Sequence, residues 1–149
     1  MKFINTLKNI QLSAPMTSTW PDASYWFKDW AKIAVDVKTD FIVLHIYPDN
    51  FGGAAMAEWL CKDVVDKTYN DYHKSIWINE FSTTGDIITE QSTIEFYEAV
   101  LPMLNEREYV VRYSPFAFGE GKPWSLWDYE TGELTNVGKV YADLGNPIE

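Results

Sequence analysis

An α/β fold built on a parallel sheet is what this sequence predicts, and three observations carry the prediction. Strand-like and helix-like patterns alternate along the chain. The strand-like segments recur about every 30 to 35 residues with a helical pattern between them, the spacing of strand–helix–strand units whose strands run parallel. The segment Phe41 to Tyr47 is an almost unbroken apolar run, as expected of a strand covered on both faces.

Taken in order, Met1 to Lys8 reads as a helix end, and Ile10 to Ser13 as a short strand stopped by Pro15. Ala23 to Ala34 predicts a helix, started at Pro21-Asp22, because Trp26, Phe27, Trp30, Ala31 and Ala34 share one face at the 3.6-residue period. The strand Phe41 to Tyr47 is followed by the loop Pro48 to Gly53, and a helix over Ala54 to Tyr69 turns Met56, Trp59, Leu60 and Val64 inward. Ser75 to Glu80 is the third strand and Ser82 to Asp86 a polar loop. Thr89 to Asn105 is a helix carrying Phe96, Tyr97, Val100, Met103 and Leu104, Tyr109 to Tyr113 is the fourth strand, and Leu134 to Leu144 is the last helix. Gly119 to Gly132 is read as irregular. Four such units fit half of an eight-fold barrel or an open doubly wound sheet, and spacing alone leaves both open. The 149 residues form one domain without an evident linker or repeat.

Composition narrows the function. A net charge of −10 argues against nucleic acid and anionic lipid, both of which need clustered Lys and Arg. No apolar run approaches a membrane span. Seven Trp and nine Tyr supply flat apolar faces with polar handles, which suit sugar rings as well as protein interfaces, and with the acidity they point to neutral polysaccharide. Cys61 is the only cysteine, so no internal disulfide forms, and it falls in a helical pattern as a buried thiol. Two histidines and one cysteine, widely spaced, give no metal signature, and no phosphate loop or nucleophile elbow is present, so neither metal nor cofactor is expected. Met1-Lys2-Phe3-Ile4 lacks the apolar core and cleavage site of a signal peptide, and the compartment is not legible.

The most informative residue is Glu80. It ends the apolar, β-branched stretch Ser75 to Phe81, where packing of Ile76 and Ile78 has no use for a carboxylate. Enzymes of this class keep their chemistry at the carboxyl-end rim of a parallel sheet. The other reading is a glutamate satisfied by an Arg or a backbone N–H. The polar strand-end residues expected on one rim are Ser13, His45, Tyr47, Glu80, Arg112 and Tyr113. His45 and Tyr47, two apart, point the same way. His45 is read either as a core histidine or as a site residue. Tyr47 is read either as a donor that orients Glu80 or as a core tyrosine with a wet hydroxyl. Trp124 and Trp127 are either caps on the core or sugar platforms.

Five blocks carry a resemblance: Ser13-Ala14-Pro15, Asp40 to Tyr47, Trp77-Ile78-Asn79-Glu80-Phe81, Val111 to Phe116, and Gly132 to Tyr141. In order and spacing they resemble the glycosyl hydrolase catalytic-core family, glycoside hydrolase family 128, whose members are β-1,3-glucanases on a (β/α)8 barrel of the retaining type. The resemblance implies that Glu80 is the nucleophile, that His45 and Tyr47 stand near the innermost sugar site, and that Arg112 and Tyr113 lie under it on the last strand. Secretion or a cell-wall location would follow for such an enzyme.

Two departures accompany the resemblance. The Asn-Glu-Pro segment whose glutamate is the family's acid/base is not found, so the chain resembles only the second half of the barrel, strands five to eight. The tryptophan that commonly precedes the phenylalanine of the Arg-Tyr block is here Pro115, a loss that Trp124 could offset. A retaining glycosidase needs two carboxylic acids about 5 to 5.5 Å apart. Without the acid/base, ~10²–10⁴-fold of rate is missing. None of the loop acids Asp22, Asp49, Asp86 and Glu120 has a context that marks it as a substitute. A half barrel leaves open sheet edges and a bare inner face. The expectation is therefore a piece of a longer protein, a self-associating chain, or a partner for a separate N-terminal half. The alternative function is a non-catalytic carbohydrate-binding half barrel.

Overall fold

The computed structural model describes residues 10–15, 25–48, 51–116, 119 and 121–145. The expected helix end at Met1 to Lys8, the helix start at Pro21-Asp22, and the loop acids Asp22, Asp49 and Glu120 lie outside these residues, as do the side chains of Trp26 and Phe27. The elements run α1 (Tyr25–Ile33), β1 (Phe41–Ile46), α2 (Gly53–Trp59), a π-helical stretch (Leu60–Asp66), α3 (Lys67–Tyr72), β2 (Ser75–Phe81), α4 (Glu90–Asn105), β3 (Val110–Pro115), β4 (Trp127–Asp128), β5 (Glu133–Leu134) and α5 (Asn136–Leu144). The α/β class and the parallel sheet are as the alternation predicts. The order is β1-β2-β3, with β2 parallel to both neighbours.

The helices cover one face of this sheet. Ile42, Leu44 and Ile46 of β1 and Ile76 and Ile78 of β2 join Leu60, Val64, Phe96, Tyr97, Val100, Leu101, Leu104 and Val137 in one buried core. Each such apolar side chain contributes about 1.5–3 kcal/mol on burial, which fixes the helices on that side. Helix α4 is started by Thr89, whose hydroxyl oxygen accepts the Ser92 N–H while the Ser92 hydroxyl oxygen accepts the Thr89 N–H. That reciprocal pairing satisfies two donors that the first turn would otherwise leave bare.

Three expectations are corrected. The strand over Ile10 to Ser13 reduces to a parallel bridge between Ser13 and Phe41, flanked by bonds from Ala14 N to the Phe41 oxygen (2.9 Å) and from Asp40 N to the Leu12 oxygen (2.8 Å). The helix expected over Ala54 to Tyr69 runs from Gly53 to Tyr72 through the π-helical stretch, and ends where His73 takes a left-handed φ of 49°. Within Gly119 to Gly132, read as irregular, Trp127–Asp128 pairs antiparallel with Glu133–Leu134. Periodicity cannot register a two-residue strand, because one alternation is too short to stand out.

Away from the sheet's carboxyl end, Asp66 accepts from Arg107 Nε (2.6 Å) and Nη2 (3.0 Å) and from the Tyr109 hydroxyl (2.5 Å), with the rings of Tyr69 and Tyr109 stacked at 4.0 Å. Burial alone would raise the Asp66 carboxyl. The hydrogen bonds from Arg107 and Tyr109 outweigh it and hold the group below its ordinary range. Cys61 is buried, and burial pushes its thiol up to about 11. Among the described residues no helix is long and apolar enough to cross a membrane.

Candidate active site

The site begins with a β-bulge. Leu44 of β1 aligns with Ile78, but His45 aligns with Glu80, so Asn79 is an extra residue in β2. Strict alternation would put Glu80 on the same face as Ile76 and Ile78, inside the helix-covered core. The inserted Asn79 shifts the phase by one. Phe81 then enters the core at 0% exposure, while Glu80 emerges on the opposite face with its side chain 36% exposed. A carboxylate needs that rotation, since burying it among isoleucines would cost several kcal/mol.

On that face Glu80 meets β1 and the residue that follows it. The Tyr47 hydroxyl donates to Glu80 Oε2, and His45 Nδ1 lies 3.4 Å from the same oxygen. Oε1 has no hydrogen-bond partner among the described residues. Burial, then the neighbouring carboxylate, push the Tyr47 phenol far above its usual value, so it remains a donor at every ordinary pH. The Tyr47 ring stands edge-on to Phe116 at 5.5 Å. His45 Nε2 is buried without a partner among the described residues. Chemically, this is an ionisable carboxylate with one oxygen clamped by a neutral donor and the other without a partner among the described residues.

Ser13, Arg112 and Tyr113 find their partners elsewhere in the fold. Ser13 pairs with Phe41, at the far end of β1 from His45. A second register shift, between the Ile76–Val110 and Trp77–Arg112 pairs, makes Val111 a bulge and turns Arg112 onto the face of Trp77. The guanidinium lies 5.1 Å from the Trp77 ring centre, and Trp77 stacks on Phe41 at 4.0 Å. Arg112 lines a cleft with Gln11, Asp40 and Ser75 at the amino-terminal ends of the strands, away from Glu80. Tyr113, one residue on, faces the helices, its ring edge-on to Phe81 and Tyr141 and its hydroxyl donating to Asn105 Oδ1 (2.5 Å). The one-residue bulge puts Arg112 on the sheet face of Trp77, opposite the Ile76 and Ile78 core face and nearer the amino-terminal ends of the strands than Glu80, and turns Tyr113 to the helix side. Trp124 is partly buried with Lys122 Nζ 5.9 Å from its ring centre, and Trp127 is exposed on the short hairpin. Asp86 is exposed in the loop after β2. Among the described residues no cluster of three or more His, Cys, Asp or Glu could hold a metal ion.

Sequence reasoning overlooked Asn79 as the residue that aims Glu80. The available signal was the conflict between strict alternation and a glutamate in phase with two isoleucines.

The fold has clear relatives. A crystal structure of a family 128 subgroup I endo-β-1,3-glucanase from Amycolatopsis mediterranei superposes with a TM-score of 0.78 at 24% identity. The same enzyme in complex with laminaritriose and laminaribiose gives a TM-score of 0.76 at 26% identity. In both comparisons the match covers 91% of this chain and 59% of the other. A subgroup V exo-β-1,3-glucanase from Cryptococcus neoformans matches at a TM-score of 0.73 and 17% identity, over 98% of this chain and 59% of that one. The chain thus spans about six-tenths of the length of these solved relatives. No curated protein sequence matches it. The profile of the family described as glycosyl hydrolase catalytic core matches residues 1–141, and the chain, with its strand-end glutamate clamped by a tyrosine, belongs to that glycosyl hydrolase catalytic core family.

Proposed function

We propose that this chain is the second half, strands five to eight, of a (β/α)8 barrel that hydrolyses β-1,3-glucan with retention, and that Glu80 is its nucleophile. The observation that carries the reading is the bulge-aimed carboxylate whose Oε2 accepts from Tyr47 and lies 3.4 Å from His45 Nδ1, while Oε1 has no partner among the described residues. In the first step Oε1 bonds to the anomeric carbon as the glycosidic C–O bond breaks, and the leaving oxygen takes a proton from an acid. In the second, water gives a proton to the same group, now a base, attacks that carbon and frees Glu80. The acid/base comes from the first half of the barrel. Two features support a second half: the match over 59% of the solved relative, and β3, whose outer edge has no partner strand among the described residues and whose Val111 is 51% exposed. The Amycolatopsis enzyme has been crystallised with either of two different glutamates replaced and with laminari-oligosaccharides bound, which fits a two-carboxylate mechanism on that substrate. His45 and Tyr47 contact the innermost sugar, and Trp124 is a further platform.

A second reading, a non-catalytic glycan-binding half barrel that assembles with a copy of itself or a separate first half, is favoured by the same edge of β3, unpaired among the described residues. Light scattering distinguishes the two arrangements of the chain. Chemistry at Glu80 is tested with 2-deoxy-2-fluoro-laminaribiosyl fluoride, whose fluoride leaves without a proton, so the missing acid is bypassed. Intact mass should show one glycosyl adduct, and peptide mapping should place it on Glu80. No adduct, or an adduct that persists in Glu80→Gln, refutes the mechanism.

A further inference from the structure

We propose a second glucan-binding site, remote from Glu80, in the cleft of the β4–β5 hairpin, where Trp127 and Tyr129 form the platform for a passing polysaccharide chain. The proposal rests on the β-glucan reading above for the identity of the sugar.

Large aromatic side chains exposed on a folded surface lose the benefit of burial, and two on one short hairpin ask for an occupant. Trp127 is 43% exposed and Tyr129 53%. Both line a single cleft of about 330 Å³, together with Lys122, Ser125, Asp128 and Thr135. Apolar ring faces beside hydroxyl, amine and carboxylate groups match a sugar, which offers an apolar C–H face and a rim of hydroxyls. The carboxylate of Asp128 and the net charge of −10 disfavour a polyanion and, by like-charge repulsion, a second copy of the chain.

The backbone that carries the two rings is tied down before anything binds. Trp127 pairs across the hairpin with Leu134, whose Cδ2 would lie 3.1 Å from a Cβ at Gly138 of α5. Asp128 Oδ1 accepts the Glu130 N–H (2.8 Å) and the Thr131 N–H (3.1 Å), closing the turn. Thr135 ties the hairpin to the start of α5: its N–H donates to the Leu126 oxygen (3.1 Å), its hydroxyl donates to the Ser125 oxygen (2.6 Å), and Gly138 N–H donates to that hydroxyl (3.0 Å). A hairpin backbone fixed in this way binds without the cost of ordering its own loop.

Its position suits a long chain. Helices that return between parallel strands begin at the carboxyl end of the sheet. Asn136 at the start of α5 donates to Glu90 at the start of α4 (2.7 Å), so the hairpin sits over those helix starts. It therefore lies at the carboxyl end of the sheet, the end at which Glu80 stands, in a cleft that none of Glu80, Tyr47 and His45 lines. A polymer leaving the Glu80 cluster could extend across it, whereas a disaccharide at Glu80 would not need it.

The test is native electrophoresis of the full chain in gels containing laminarin, with dextran as the control polysaccharide. Wild type and Glu80→Gln should both be retarded by laminarin, and the double variant Trp127→Ala with Tyr129→Ala should lose about tenfold or more of apparent affinity. Circular dichroism confirms that the double variant is folded, and Trp127→Phe, which keeps a ring, should retain most of the retardation. Unchanged retardation of the double variant overturns the proposal, as does absence of retardation in wild type. It is also overturned if the double variant abolishes only a concentration-dependent self-association. Adduct formation at Glu80 with the fluoro-sugar separates the two ideas. Labelling without retardation refutes the remote site alone, and retardation without labelling leaves the site standing while refuting hydrolysis at Glu80.

Discussion

Replacing Gly138 by alanine should destabilise the chain, although glycine inside a helix is ordinarily a weakness. Gly138 lies in the first turn of α5 and is buried. In an open helix the exchange would gain about 0.8–1.0 kcal/mol. Here a Cβ would collide with the carbonyl oxygen of Leu126 and stand 3.0 Å from its carbon. Both are backbone atoms, so no side-chain rotation relieves the clash. Either α5 or the hairpin must withdraw, which breaks the bonds from Thr135 to Leu126 (3.1 Å) and to Ser125 (2.6 Å). Two hydrogen bonds at about 1 kcal/mol each, plus roughly 1–3 kcal/mol for overpacking, outweigh the propensity gain. The net expectation is a loss of about 2–4 kcal/mol, or a fall in Tm of roughly 4–16 °C. Urea unfolding followed by tryptophan fluorescence measures it. A variant as stable as wild type, or more so, would mean that the close approach of α5 to the hairpin does not exist in solution.

Two further outcomes follow from the same geometry. Tyr47→Phe removes the donor to Glu80 Oε2 while leaving the ring against Phe116, so the rate of Glu80 labelling by the fluoro-sugar should drop about 10–100-fold, the worth of a hydrogen bond to a charged group. An unchanged rate would remove Tyr47 from the mechanism. Asp66→Asn breaks the fork to Arg107 and should cost about 2–4 kcal/mol at neutral pH. Because the Asp66 carboxyl is held below its unfolded value of 3.8, its stabilisation is present above that pH and is lost as pH falls through the lower folded value. Denaturation midpoints from pH 2 to pH 7 should therefore converge between wild type and variant at the acid end. Parallel curves would contradict the assignment.

How much of this was legible beforehand depends on the residue. Phe96, Tyr97, Val100 and Leu104 recur at helical spacing, and all four are buried in the core. Glu80, His45 and Tyr47 were legible as a group, since an apolar strand ending in a carboxylate and a strand with two polar residues at one parity are both visible in the chain. Arg112 and Tyr113 were grouped with them as strand-end residues, yet as neighbours in one strand they take opposite faces. One stacks on Trp77 and the other donates to Asn105 behind the sheet. Trp127 was read as a core cap or a platform, and Tyr129, which lines the same cleft, was not singled out, because the hairpin that brings them together is two residues per strand.

The sequence by itself determined the class of fold, the order of its elements and which helix faces are buried, because those depend on periodicities that each segment carries alone. Tertiary structure decided which face each strand residue takes. A strand has a period of two, so a single extra residue exchanges every face beyond it, and whether that residue is accommodated depends on the hydrogen-bond ladder of the neighbouring strand. Asn79 and Val111 are those residues here. The first rotates Glu80 out of an isoleucine core and onto Tyr47 and His45, and the second carries Arg112 to Trp77 and Tyr113 to the helices.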